Sequence, residues 1–509
     1  MLLQEYLERA ASLSPAAVAV VTDDGRLTFG ELNARSNAFA NGLKAAGVNR
    51  GDRVAIYLEN RAETVVAIFG VLKAGAVFLM VNPSAKAQKL EFLLRHAEAR
   101  AIVLAGSRLR ALGSLFDTID DLSAVVALGA ASGPLERKVL LDWNTLVAGS
   151  EATPATDTID LDLAALLYTS GSTGEPKGVM LTHANIRSAI DSIATYLRLT
   201  PDDVLMNVLP LSFGYGLTQL FSAIKVGARF VLEKGIAFPH VTLTRMASEK
   251  VTGFAMVPTI AAVLLEMDLS RYELQSLRYI TNAGAGLPTE HTRRLRAVLP
   301  HVDVVLMYGQ TECLRISYLE PREVDRRPDS VGRGMPNQEL QILSAEGQPV
   351  GTNEVGELVV RGSHVMRGYW RMPVETAATL RPGRFPGEYV HHTGDLFRQD
   401  EEGYLYFVAR GDDIIKSKGE KVSPREVENA LYRLDGVAEA AVVGVPHPVF
   451  GQAVKAVVVL RSDVRLEARD VQRHCASCLE DFMVPAVVEF ASSLPKSDNG
   501  KILKASLRQ

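Results

Sequence analysis

The chain has 509 residues, 47% of them apolar and 22% charged, with a formal net charge of -4. That length predicts two to four domains or subdomains with ample buried core, and the near-neutral balance argues against a nucleic-acid-binding surface. Three cysteines are too few for a disulfide framework, so the expected compartment is reducing and cytoplasmic.

The N-terminal stretch MLLQEYLERAAS sets Glu5 and Glu8 inside its apolar spacing. It predicts an amphipathic helix with neither the basic nor the apolar region of a signal peptide. The most apolar window, TVVAIFGVLKAGAVFLMVNP, is broken by Gly70, Lys73 and Gly75. It reads as a buried helix running into a strand, and no membrane span is expected. DRVAIYL, AIVLAG, DVLMNVLP, ARFVLE and DVVLMYG predict strands, whereas ELNARSNAFANGLKAAG, PTIAAVLLEM and PTEHTRRLRAVLP predict helices. Their alternation predicts an α/β architecture with substantial parallel sheet. From about residue 330, the short runs GELVVRG, GYW, GEYVHHTGD and GYLYFVAR are punctuated by glycine and predict a small barrel or sheet appendage. Beyond about residue 413, SPREVENALYRL predicts a helix capped by Ser423, with Pro424 first and Glu426 closing a capping box. EAAVVGVP and QAVKAVVVL predict strands and EARDVQRHCASCLE another helix, together a separate α+β domain.

One loop carries a chemical signal. Residues 168–183 read YTSGSTGEPKGVMLTH, a Gly/Ser/Thr run with one lysine between two apolar runs. Backbone N–H groups in such a loop converge on phosphate oxygens, hydroxyls add donors and Lys177 adds a point charge. The spacing is not that of a Walker loop: Lys177 is followed by Gly178, and the exit GVMLT reads as a strand. On composition alone a phosphate-binding hairpin and a polar hairpin tip stand even. Cys475 and Cys478 form a lone CxxC on one helix face and read as structural, as does His474 beside them. His183 is assigned no chemistry.

The full string YTSGSTGEPKGV resembles the phosphate loop of the AMP-forming adenylating superfamily of acyl-CoA synthetases, adenylation domains and luciferases. Five further segments resemble that family's motifs in order: YGQTE at 308–312, GELVVRGSHVMRGYW at 356–370, TGDL at 393–396, FVARGDDIIKSKGEKVSPREVE at 407–428 and LPKSDNGKILK at 494–504. The resemblance covers essentially the whole chain. It implies a large N-terminal domain, 1–411, with two helix-flanked sheets and a small β-barrel-like subdomain, and a small mobile α+β C-terminal domain, 412–509.

The resemblance further implies formation of an acyl-adenylate from a carboxylic acid and MgATP, then transfer to a thiol. Thr169, Ser170, Gly171, Ser172, Thr173, Gly174 and Lys177 would hold the β- and γ-phosphates. Thr311 would contact the α-phosphate and Glu312 would hold Mg²⁺. Tyr308 would lie on the adenine, with the backbone at Ala285 and Gly286 along its edge. Asp395 would accept the ribose hydroxyls, with Arg410 nearby, and Lys501 would stabilise charge on the reacting carboxylate. Asp412 would be the hinge, and Gly419 would line the thiol's approach. Phe213, Tyr215, Ala283, Gly284, Met307 and Ser317 are candidate walls of the acyl pocket.

In LPLSFGYG no carboxylate stands where amino-acid-activating members pair the substrate ammonium. Burying an unpaired ammonium is costly, so an apolar aliphatic or aryl acid is expected. The chain runs eight residues past Lys501, so the expected acceptor is free coenzyme A, with a separate carrier protein as the alternative. A catalytically silent nucleotide-binding regulator is the competing reading from another class. The retained Glu312, Asp395 and Lys501 speak against it.

Overall fold

The computed structural model describes residues 1–509 apart from 132–134, 171–175, 412, 418–419, 448–450, 463, 498–499 and 509. The expected calls on Gly171, Ser172, Thr173, Gly174, Asp412 and Gly419 lie outside the described residues, as does the side chain of Ser170.

Two large sheets form the N-terminal domain. In the nine-stranded sheet, Asp303–Tyr308, Tyr279–Asn282, Gly253–Met256, Val204–Asn207, Arg229–Leu232 and Val18–Thr22 run parallel in that order. Antiparallel pairs close both edges. The seven-stranded sheet orders Val139–Asp142, Ala124–Leu128, Ala99–Ala105, Arg53–Tyr57, Val77–Met80, Leu163–Ser170 and Pro176–Thr182, parallel except for the last pair. Strands such as Val204–Asn207 and Tyr279–Asn282 are buried at every position. Sheets covered on both faces demand this, and it explains why a strand such as Val204–Asn207 reads as an apolar run. The predicted helix-into-strand is Ala62–Lys73 followed by Val77–Met80. Its Lys73 is 1% exposed and pairs with Glu8 at 2.5 Å on the N-terminal helix Gln4–Leu13.

The glycine-punctuated region forms a five-stranded antiparallel sheet of Gln338–Leu343, Gly356–Gly362, Tyr389–Gln399, Leu380–Pro382 and Leu405–Arg410. GYW is not a strand of it: Tyr369 makes a single bridge to Val179. That contact lays the segment along Pro176–Thr182, the exit strand of the Gly/Ser/Thr hairpin.

The small C-terminal domain has its own five-stranded sheet and two helices, Pro424–Tyr432 and Ala468–Cys478, over a separate apolar cluster. Pro424 opens its helix as expected, but the capping box is absent. Ser423 Oγ donates instead to the carbonyl of Val408 in the large domain. Turned toward Val408, the hydroxyl oxygen accepts from none of the helix N–H groups, so the predicted cap is replaced by a tether between domains. His474 Nε2 lies 2.8 Å from the Ala430 carbonyl and joins the two helices, while Cys475 is buried and Cys478 exposed, both as free thiols. Among the described residues, no helix is long and apolar enough to cross a membrane.

Candidate active site

Parallel strands gather chemistry at their C-terminal ends, where loops leave the sheet beside one another. Here Asn207, Met256, Asn282 and Tyr308 end four adjacent strands. The segments that follow carry Phe213, Val257, Ala283–Gly286 and Gln310–Glu312. Gly284 has φ +86°, and a Cβ there would come 3.2 Å from Phe213 Cζ. Glycine is therefore required both by the left-handed turn and by the close approach of the ring. Tyr215, in the first turn of Gly214–Val226, sets its ring edge-on to Phe213 at 6.2 Å. Ala283 is buried beside them. Met307 and Ser317 are buried too but engaged elsewhere. The Met307 sulfur lies 3.1 Å from Tyr196 Oη, and Ser317 Oγ donates to the Val331 carbonyl at 2.8 Å.

Asp395 lies inside the strand Tyr389–Gln399, paired in register with Arg410 across the sheet, and so is not the turn residue its Thr-Gly context suggests. Its side chain is buried. Oδ2 accepts from Tyr308 Oη at 2.6 Å and from Gln310 Nε2 at 2.9 Å. Oδ1 is sealed from solvent and has no hydrogen-bond donor among the described residues. Arg410 Nε approaches it to 3.2 Å as an ion pair, without the alignment of a hydrogen bond. Burial holds the Asp395 carboxyl above its ordinary range, opposed by Arg410 and by the bonds from Tyr308 and Gln310. An orphaned buried acceptor of this kind calls for an incoming hydrogen-bond donor. Tyr308 packs on Phe397 with ring centroids 4.8 Å apart.

Glu312 Oε1 accepts from Tyr369 Oη at 2.8 Å, and the Glu312 carbonyl accepts from Met366 N–H. Lys177 Nζ stands 5.4 Å from the centroid of the same Tyr369 ring. Lys177 itself pairs with Thr169 across the hairpin. One tyrosine thus joins the hairpin lysine to the glutamate that follows the nine-stranded sheet. Thr311 is half-buried between Gln310 and Glu312.

Lys501 arrives from the other domain on a turn closed by Ser497 N–H to the Lys501 carbonyl at 2.7 Å and by Gly500 N–H to the Ser497 carbonyl at 2.8 Å. Gly500 has φ +75°, and a Cβ there would meet Thr259 Oγ1 at 3.0 Å, so the turn is seated on the large domain. Lys501 Nζ lies 5.8 Å from the Phe213 ring centroid. As a residue Lys501 is exposed, yet protein atoms crowd its ammonium. This dehydration, with Arg410 adding to it, lowers the ammonium's pKa, opposed by Glu312 and Asp395. Two further contacts hold the domains in this arrangement. Asn429 Nδ2 donates to Asp329 at 3.0 Å, and the Arg425 guanidinium lies against Gly286 so closely that a Cβ there would come 2.5 Å from Nη1. The Ala285 carbonyl accepts from Asn282 Nδ2 at 2.9 Å.

Sequence reasoning missed Gln310, Tyr369, His391 and Arg425. Gln310 bridges Asp395 and His391, whose Nε2 lies 2.8 Å from Gln310 Oε1. Gln310, Tyr369 and Arg425 stand inside quoted motifs, but only the fold shows what they touch. His391 offered no spacing signal.

Two family models match the chain: AMP-binding enzyme over residues 7–370 and AMP-binding enzyme C-terminal domain over residues 426–501. The chain is 32% identical to a long-chain-fatty-acid–CoA ligase of Bacillus subtilis (strain 168), an alignment covering 99% of this chain and 94% of that one. It is 34% identical to a feruloyl-CoA synthase of Amycolatopsis sp, covering 98% and 97%. Among solved structures, an anthranilate CoA ligase in complex with anthranoyl-AMP superposes with a TM-score of 0.90 at 28% identity, covering 100% of this chain and 96% of that one.

Proposed function

The chain belongs to the AMP-binding enzyme family, and on that premise we propose that it activates an apolar aliphatic or aryl carboxylic acid with ATP and passes the acyl group to coenzyme A. It is an AMP-forming acid–CoA ligase. The observation that carries the reading is the convergence of Lys501, Asp395 and Glu312, drawn from two domains, beside the aromatic wall of Phe213 and Tyr215.

The donor set fits a nucleotide. The empty-handed Asp395 Oδ1 suits a ribose hydroxyl, with Tyr308 fixing the other oxygen. Thr169 and Lys177 on the hairpin suit phosphate oxygens. In the first half-reaction a carboxylate oxygen attacks the α-phosphorus, the bond to pyrophosphate breaks, and pyrophosphate leaves. Both partners are anions, so the enzyme's task is neutralisation, and Lys501 supplies a positive charge beside the carboxylate. Glu312 suits Mg²⁺. Among the described residues no cluster of three His, Cys, Asp or Glu exists, so the ion's other ligands would be phosphate and water. When bound, the ion supplies charge neutralisation on those phosphates. In the second half-reaction the thiolate of coenzyme A attacks the acyl carbon and AMP departs with its oxygen. We assign residues 1–411 to nucleotide and acid binding and 412–509 to a domain hinged at Asp412, swinging Lys501 out after adenylation.

Phe213 and Gly214 offer no carboxylate to a substrate ammonium. In ATP–pyrophosphate exchange, fatty and aryl acids are therefore expected to outperform α-amino acids, with thioester appearing on addition of coenzyme A. A clear preference for one α-amino acid would overturn the substrate assignment.

A further inference from the structure

Arg315 is among the largest fully buried side chains of the protein, at 1% exposure. Among the described residues, the other lysines and arginines that are buried as whole residues, Lys73, Arg327 and Lys455, are paired. Lys73 has Glu8 at 2.5 Å, and Arg327 has Glu323 at 3.8 Å and Asp400 at 3.5 Å. Arg315 has neither an ion pair nor a side-chain hydrogen bond among the described residues, and its Nε is sealed from solvent without an acceptor. Its guanidinium instead lies over the ring of Tyr215, 4.9 Å from the centroid. A buried guanidinium without a counter-charge is among the costliest arrangements a fold can hold, and among the described residues only the Tyr215 ring offsets it.

The position is built. Leu314 adopts a left-handed φ of +59°, which turns the chain just before Arg315. A Cβ on Gly309 would come 2.6 Å from the Leu314 carbonyl and 3.0 Å from Arg315 Cα, so the loop folds back onto glycine. Cys313 and Ile316, on either side, are fully buried. A leucine in the left-handed region is strained, and such strain marks segments held for a purpose beyond packing.

The path from the reaction centre to Arg315 is aromatic. Lys501 Nζ is 5.8 Å from the Phe213 ring, Phe213 is 6.2 Å from the Tyr215 ring, and Tyr215 is 4.9 Å from the guanidinium. One cation stands at the Phe213 end, a second at the Tyr215 end, and two aromatic rings stand between them. We propose that Arg315 pairs with a second carboxylate, and that the acid activated here is a dicarboxylic acid with an apolar middle. This rests on the ligase reading and narrows it. The same guanidinium repels a substrate ammonium, in keeping with the missing acidic partner at Phe213–Gly214.

The test uses the full chain and ATP–pyrophosphate exchange. Diacids from succinate to dodecanedioate are compared with monoacids and ω-hydroxy acids of equal length. The expected result is one diacid favoured over its monoacid by about 100-fold in kcat/KM, the scale set by leaving a buried polar group unpaired. In Arg315→Met the diacid is expected to lose that advantage while the equal-length monoacid gains. Should the variant not fold, the wild-type ranking decides alone. Monoacids or ω-hydroxy acids used as well as diacids, or a diacid preference unchanged in Arg315→Met, would overturn the proposal. Exchange with no acid of any class would instead remove the ligase reading beneath it.

Discussion

Lys501 and Asp395 are perturbed in opposite senses by the same cause. Burial disfavours charge on each, and each is partly rescued by the other. Such a pair costs stability in the resting protein, and perturbed groups of this kind cluster at active sites; in the proposed reaction Lys501 would stabilise the charge that develops. Lys501→Ala is expected to lower adenylate formation by about 10²–10³-fold, since one preorganised charge contact is lost. Thioester formation from supplied acyl-AMP should persist, and equal losses in both half-reactions, followed by quench and chromatography, would refute the assignment. Tyr369→Phe removes the O–H that holds Glu312 but keeps the ring under Lys177. A hydrogen bond to a charged group contributes about 1.5–3 kcal/mol. The expected result is therefore a loss of roughly tenfold or more in kcat/KM for ATP, with a raised Mg²⁺ requirement. Unchanged Mg²⁺ titration of the exchange rate would show that the bond does not orient Glu312.

Three glycines shape the elements around the site by what a side chain would strike. Gly309 and Gly284 admit the Arg315 loop and the Phe213 ring. Gly332 is the most demanding: a Cβ would fall 1.7 Å from the Tyr318 carbonyl, and its φ is +85°. It lies beside the short pairing of Ser317–Tyr318 with Arg333–Gly334, and its backbone also bridges Leu405 of the neighbouring sheet. Gly332→Ala must therefore separate two sheets or break their register. The expected cost is about 3 kcal/mol or more, with expression or the chemical midpoint as readout. A midpoint within error of wild type would mean that the junction yields cheaply. The helix beginning at Pro424 gives the converse case, a local signal overruled at element scale. Its cap hydroxyl was recruited by the other domain.

At the scale of the molecule, four buried histidines set the acid limit. Burial pushes His183, His291, His364 and His391 down to about 4 from 6.5. His183 opens the helix His183–Tyr196, and its Nδ1 accepts from Leu3 N–H at 3.2 Å. In the unfolded chain each takes a proton near 6.5, and in the folded protein only near 4. The unfolded state therefore binds more protons between those values. Stability is complete above the upper value and falls as the pH drops through the window, by roughly 1–3 kcal/mol per histidine. The urea midpoint should accordingly be lower at about pH 5 than at about pH 7.5. Equal midpoints would show that the rings find partners when charged.

The sequence by itself determined a great deal. Apolar runs located Arg53–Tyr57, Ala99–Ala105, Val204–Asn207, Arg229–Leu232 and Asp303–Tyr308 but not their neighbours Gly253–Met256 and Tyr279–Asn282, because burial on both faces favours apolar residues without marking where a short strand begins. The same signal located Ala62–Lys73, and turn chemistry set off the glycine-punctuated sheet. The motif residues Asp395, Glu312, Lys177 and Lys501 were legible as a set because their order along the chain is distinctive. What only the tertiary structure decided is which groups meet. Tyr369 reaching Glu312, Gln310 linking Asp395 to His391, Arg425 seated on Gly286, and Arg315 buried without a partner all depend on strand order and domain seating. Those contacts join residues far apart in the chain, and local pattern carries information only over the few residues that share one helix turn or strand face.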